Sequence, residues 1–537
     1  MAACPLGAAG CFSVVNASGL GFELTLQLVV AQGLANRAHG ASVYVVGIEL
    51  LPGMVGIEWF PGTGCDECHG LRRRWLDTVV AAQPNRRPVA LAADTLLKQV
   101  RPLLSGGAVY DASMLHSLGP VLTACGVHDL LPAASESSLP RDLKVVFDGR
   151  GRWRDATDAA WFVGRHLLSS ANASTLALQA PTELPFLADA IVMWRLPMLW
   201  MDDMCRNSTQ NSALRFVIEG SGHFDASPIV QYLGWFNHTR LPNVELVCQC
   251  TQQKRLVTIA SDWAENLSFL ASVPPPAAPK RYVQPDDAVG VSSYSRERTY
   301  VAVVVSDGDN LAQDWSNLRP ALERRLALRS RVPVSWTVSN RWLDFGWPVL
   351  EWFYGAIARS GGHDSLLMGP SGFGYVFPGA IVDERDRATF ARRTIAAAEA
   401  LDMQAYVHWD VDHSPDRSTA AVRMYNHSAI RGVFMLGSDP IDDVVGDVVV
   451  INHPPIPWGF TNASAAAATL NQLPKGSITY VYANMKADPA LVDELAAALE
   501  PHVMLLGHRT LIRVARMARL ERERASAWGP GAASVST

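Results

Sequence analysis

Eight short, almost uninterrupted apolar runs recur through the C-terminal part of this 537-residue chain, at 299–305, 332–338, 365–368, 404–407, 432–436, 447–451, 478–482 and 502–506. Continuous apolar character, rather than strict alternation, marks strands buried on both faces, as in parallel sheets covered by helices. Helical periodicity fills most of the gaps, at 347–358, 383–401, 416–427, 464–473, 489–499 and 509–520. This alternation predicts an α/β fold with a C-terminal (β/α)8-like barrel. No helical pattern lies between Leu436 and Ile451, so the barrel is expected to be irregular there.

The run Ser272-Val273-Pro274-Pro275-Pro276-Ala277-Ala278-Pro279 separates this region from what precedes it. The expected organisation is an N-terminal α/β domain (1–150), a second α+β domain (151–275), a Pro-rich linker (276–298), the barrel (299–522) and a disordered tail (523–537). In the first unit, helices are predicted at 24–36, 71–82, 95–104 and 114–125, with strands at 42–47, 108–111 and 143–148. Gly19-Leu20-Gly21 begins like a dinucleotide fingerprint, but no strong strand precedes it and the third glycine is missing. No Walker A lysine exists, so nucleotide binding is not expected. The second unit is rich in Trp and Leu and offers no candidate site.

The net charge of −5 is small, and the basic segment 513–524 falls on an amphipathic helix, so no nucleic-acid partner is expected. The longest apolar stretch, 186–201, is broken by Asp189, Arg195 and Pro197, and no membrane span is expected. Seven Asn-x-Ser/Thr sequons, at Asn16, Asn172, Asn207, Asn237, Asn266, Asn426 and Asn462, point to a secreted or lumenal glycoprotein, although the N-terminus lacks a clear signal peptide. All 8 Cys precede residue 251, which suits one or two loop disulfides. Cys65-Asp66-Glu67-Cys68-His69 fits the haem-attachment spacing, but no second axial ligand stands out, and Cys248-Gln249-Cys250 has the wrong spacing to complete a zinc site. No cofactor is expected. The 16 Trp residues favour carbohydrate, because exposed indoles give sugar rings a flat platform.

In barrels, chemistry gathers where strands end. Strand one is followed by Ser306-Asp307-Gly308-Asp309-Asn310, strand two by Ser339-Asn340, and strand four by His408-Trp409-Asp410-Val411-Asp412-His413. Two carboxylates leaving a buried strand need neutralising, which suits a general acid or a cation. Asp307, Asp309, Asp410 and Asp412 are therefore the candidate catalytic residues. Asn310, Asn340, His408, Trp409 and the aromatic loop carrying His453 and Trp458 are candidate substrate contacts. An alternative chemistry is metal-dependent carbohydrate ester hydrolysis or deacetylation, with the paired Asp307 and Asp309 and the histidines His408, His413 and His453 suiting a Zn²⁺ that activates water; another alternative is non-catalytic sugar binding.

Gly372-Phe373-Gly374-Tyr375-Val376-Phe377-Pro378 resembles the motif of the GxGYxYP family of putative glycoside hydrolases, departing in Phe377, where the motif has Tyr. The segment 300–310, the run Pro333-Val334-Ser335-Trp336-Thr337, the early helix Gln32-Gly33-Leu34-Ala35-Asn36-Arg37 and Asn266-Leu267-Ser268 also resemble that family. The resemblance implies N-terminal α/β domains ahead of a barrel-like domain, an oligo- or polysaccharide substrate and glycoside hydrolysis. Gly372 and Gly374 are expected to permit positive φ and present Tyr375 to a pocket. The sequence sets no oligomeric state.

Overall fold

Short apolar runs become parallel strands wherever helices can cover both of their faces. The computed structural model describes residues 3–48, 75–201, 203–235, 250–276, 281–306, 308–410, 415–437, 440–452, 456, 459–484 and 489–527. Strands β1 (Cys11–Asn16), β2 (Val43–Val46) and β3 (Arg87–Leu91) form a parallel sheet in the order β2-β1-β3. Strands β4 (Gly106–Val109), β5 (Leu130–Ala133) and β6 (Val145–Asp148) form a second, in the order β5-β4-β6. A third contains β7 (Thr175–Leu178), β8 (Met198–Leu199), β9 (Val230–Gly234) and β10 (Leu256–Ala260), in the order β10-β9-β7-β8. All its ladders are parallel, so this part is α/β rather than the α+β unit expected. A strand, β1, does precede Gly19, contrary to expectation; Ser13 and Asn16 interrupt its apolar pattern and hide it.

The large sheet contains β11 (Thr299–Ser306), β12 (Val334–Val338), β13 (Asp364–Met368), β14 (Ala405–Trp409), β15 (Gly432–Leu436), β16 (Val444–Val445), β17 (Val448–Ile451), β18 (Ile478–Asn484) and β19 (Val503–Leu506). All eight expected strands are present. They do not close into a barrel: the ladder runs β17-β15-β14-β13-β12-β11-β18, and among the described residues no strand pairing joins β17 to β18. The reason lies at the irregular point. The chain between β15 and β17 forms the antiparallel strand β16 instead of a crossover helix, and β16 takes the edge of β17 that closure would use. At the other end, β19 pairs only with Thr299–Ala302 of β11, and β12 pairs further along, at Val304 and Val305. His508, just past β19, is fully buried beside the Ser335 and Ser365 hydroxyls. Burial lowers its pKa to about 4, so it packs as a neutral ring.

A buried polar network joins the N-terminal sheet to the chain entering the large one. The helix Phe22–His39 is buried continuously from Thr25 to Asn36, so its polar residues must find partners inside. Gln32 Nε2 donates to Asn266 Oδ1 (2.6 Å), which also accepts from Val45 N (2.8 Å), while Asn266 Nδ2 returns a bond to Val45 O (2.8 Å). Asn36 Nδ2 reaches Ser268 Oγ (2.9 Å), and Ser268 N donates to Asp189 Oδ2 (2.8 Å). Gly33 allows the helix to lie against the Asp189 backbone, whose oxygen would meet an added Cβ at 2.5 Å.

Beyond the Pro-rich run the chain is packed rather than loose. Gln284 is buried and exchanges hydrogen bonds with Leu366 on β13. The last helix, His508–Ala527, runs past 522 into the stretch expected to be a disordered tail. Disulfides join Cys4 to Cys11 and Cys205 to Cys250, in line with the loop disulfides expected, and Cys125 is a buried free thiol. Residues 65–69 and Cys248 lie outside the described residues. Among those described, no helix is long and apolar enough to cross a membrane.

Of the sequons, Asn16, Asn207, Asn426 and Asn462 are exposed and Asn172 is half-buried, whereas Asn266 is buried in the polar network; Asn237 lies outside the described residues. After expression through a secretory pathway, peptide mapping is expected to find Asn266 unmodified. The substitution Asn266→Ala should leave several buried groups unpaired and lower unfolding stability by about 3 kcal/mol or more, measured by denaturant titration.

Candidate active site at the seam of two parallel sheets

The turn after β11 is held flat across the end of β12. Gly308 N donates to Thr337 Oγ1 (2.9 Å), and that hydroxyl donates to Val305 O (2.6 Å). A Cβ on Gly308 would fall 1.9 Å from Thr337 O, so only glycine fits. Asp309 is half-exposed at this turn. Asn310 is buried: its Oδ1 accepts from Ala312 N (2.9 Å), capping the following helix, and its Nδ2 donates to Asp262 Oδ1 (2.5 Å).

Asp262 comes from the other side of a seam. It follows β10, while Gln179 and Glu183 follow β7, so the carboxyl ends of the smaller parallel sheet meet the end of β11. Gln179 joins these loops, accepting from Trp235 N (3.1 Å) and donating to Glu183 Oε2 (2.5 Å). Burial pushes Glu183 up to about 8, with the neighbouring Asp262 charge adding to the shift and the Trp263 indole opposing it. Burial likewise raises Asp262 to about 6, against the Asn310 hydrogen bond. The pair therefore retains a proton near neutrality. Trp263, between them and Asn266, has φ of +61°, a strained value for a bulky side chain.

Apart from Asp386 at the start of the helix Glu384–Leu401, which burial raises to about 6, two other acids are raised by burial, Asp314 to about 8 and Asp189 to about 6. Both are sealed in packing. Asp314 accepts from Ser339 N (2.9 Å) and Trp342 Nε1 (2.8 Å), with no exposed surface. Glu183, by contrast, keeps part of its surface open.

The aromatic loop closes the seam. Tyr375 N donates to Thr258 O (3.0 Å) on β10, bridging the two sheets. The Tyr375 ring packs edge-on against Trp235 (5.1 Å) and Trp409 (5.5 Å). Gly372 has the expected positive φ (+89°), but Gly374 does not; it is needed because a Cβ there would lie 2.5 Å from Thr258 O. Tyr375 is 5% exposed, so the loop serves more to dock the sheets than to display this ring. Phe377 is fully buried, an apolar setting that suits the ring without its hydroxyl. Asn340 Nδ2 donates to Gly372 O (2.9 Å) and braces the loop.

Strand four's residues separate. Trp409 is half-exposed, but His408 and Asp410 are buried. His408 Nδ1 lies 2.7 Å from Tyr406 Oη, and its Nε2 lies 3.5 Å from Asp410 Oδ2. The same Asp410 oxygen accepts from Gly379 N and Ser418 Oγ, each at 2.9 Å. Burial alone would raise Asp410, yet His408, Ser418 and Gly379 hold it below its ordinary value. This arrangement anchors loops and leaves His408 little freedom to ligate a metal. Asp307, Asp412, His413, His453 and Trp458 lie outside the described residues, among which no group of three or more His, Cys, Asp or Glu is placed to hold a metal ion. Sequence reasoning missed Glu183 and Asp262 because their parent strands, β7 and β10, were not recognised.

The raised pKa of Asp314 has a direct consequence. Its folded-state value exceeds the unfolded one (3.8), so its contribution to stability is full below about pH 4 and is lost as pH rises towards about 8. Asp314→Asn keeps an acceptor for Ser339 and Trp342 and removes that loss. The melting temperature is expected to be higher than wild type at pH 8 and little changed at pH 4.

A putative hydrolase from Bacteroides thetaiotaomicron VPI-5482, known from a crystal structure, superimposes with a TM-score of 0.75 over 96% of each chain at 16% identity, a likeness of fold. No curated protein matches the chain. The sequence itself carries the family recognition: residues 297–489 match the family model described as "GxGYxYP putative glycoside hydrolase C-terminal domain".

Proposed function

We propose that this protein is a glycoside hydrolase whose general acid is Glu183. One observation carries the reading: a largely buried carboxyl that keeps part of its surface open, protonated near neutrality beside Asp262, sits where the ends of two parallel sheets meet at Asn310. Glycosidic cleavage needs an acid to protonate the departing oxygen and a second carboxylate to act as base or nucleophile. Asp309, next to Asn310 and half-exposed, is the proposed second carboxylate, with Asp307 beside it in the chain. Burial, aided by repulsion from Asp262, keeps the proton on Glu183, and Asn310 orients Asp262. Trp409 offers an aromatic surface to a sugar ring. The family name and the fold of the Bacteroides protein support hydrolysis of a carbohydrate. Two disulfides and four exposed sequons support work in an oxidising, glycosylating compartment.

Glu183→Gln should lower kcat on a natural glycoside by roughly 100-fold or more, with far less loss on an aryl glycoside whose leaving group needs no proton. Wild-type turnover of both substrates by this variant would rule out the assignment. The basic limb of the wild-type kcat/KM profile should fall as pH rises through about 8, because the catalytic form of Glu183 carries the proton. Asp309→Asn should abolish turnover of both substrate types.

A further inference from the structure

A cleft of about 480 Å³ opens along the same seam, between one face of the β10-β9-β7-β8 sheet and the chain that follows β12 and β13. Thr175, Gln231 and Ile259 supply one wall, and Asn340, Phe373 and Arg393 supply the other. These three sheet residues lie three or four positions before Gln179, Gly234 and Asp262 in the chain, so the cleft lies against the strands that lead to the candidate site.

Its lining has unmet demands. Gln231 is 8% exposed and Asn340 2%, yet Gln231 Oε1 and Asn340 Oδ1 have no hydrogen-bond partner. Buried acceptors of this kind call for donors from a ligand or from water. The charges are unbalanced as well. Arg341 is buried and paired with Asp344, its guanidinium 4.1 Å from the Phe373 ring centre. Arg393 lies 5.1 Å from the same ring and, among the described residues, has no carboxylate partner. One carboxylate, Asp344, thus stands against two guanidinium groups, leaving a net positive charge at a cleft whose walls present hydroxyl-hungry acceptors and an aromatic ring.

We infer that this cleft is a binding subsite for an acidic sugar, its hydroxyls donating to Gln231 and Asn340 and its anionic group facing Arg393. The inference rests on the carbohydrate reading above but not on hydrolysis.

The test is equilibrium binding of the full-length protein to a panel of oligosaccharides presented in matched pairs. Each acidic member (uronate-containing, sialylated or sulfated) is compared with its neutral counterpart. At least one acidic member should bind 10-fold or more tightly than its neutral partner, and Arg393→Gln should abolish that ratio. Gln231→Ala should weaken both members of the pair. Equal affinity within every pair would overturn the inference, as would a preference that survives in Arg393→Gln with an unchanged melting temperature. Binding with acid preference but no turnover would preserve this subsite and sink the hydrolase reading. Turnover without acid preference would do the reverse.

Discussion

The hydrogen bonds that Asn266 makes inside the protein hold the candidate site in place. Its side chain accepts from Gln32 Nε2 on one side and pairs with both backbone groups of Val45 on the other, more than 200 residues away in sequence. Asn266 itself adopts a left-handed conformation (φ +60°), which few non-glycine residues do without such support. Asp262 lies four residues earlier on the same turn. Fixing Asn266 to the N-terminal helix and strand therefore fixes where Asp262 can stand opposite Asn310. The first sheet, remote from the chemistry, acts as a buttress for the second.

The second constraint is close approach. Gly308 lies against Thr337, and Gly374 lies against Thr258, at distances no side chain could tolerate. Each glycine lets a backbone segment cross the end of a strand, so the loops lie flat and the seam narrows. Tyr375 then completes the join through one backbone hydrogen bond and an aromatic contact on each side. Narrowing matters electrostatically. The carboxyl groups of Glu183 and Asp262 lose water, and their mutual repulsion is felt at low dielectric rather than screened.

Much of the architecture was legible. The eight strands of the large sheet announced themselves as continuous apolar runs, because burial on both faces leaves no polar alternation. The missing helix between β15 and β17 was visible as an absent periodicity, and it marks where closure fails. Asn310 was picked out from its place after β11, and it does lie at the seam. Glu183 and Asp262 were not legible, since β7 is four residues long and β10 follows a stretch without clear punctuation. His408 and Asp410 looked like site residues because they follow a strand, but the direction of a side chain depends on what packs against it. Here Gly379 and Ser418 capture Asp410.

The sequence by itself determined the parallel α/β character, the strand positions of the large sheet, the glycine-aromatic loop and the family of its C-terminal part. These are local properties, written in periodicity and composition. Only the tertiary structure decided that the sheet stays open, that the loop docks one sheet on another, and that Asp262, with Glu183 beside it, meets Asn310. Those outcomes depend on which edge β16 occupies and, for the loop and Asp262, on contacts between residues more than 40 positions apart, and a linear pattern does not encode which surfaces will exclude water together.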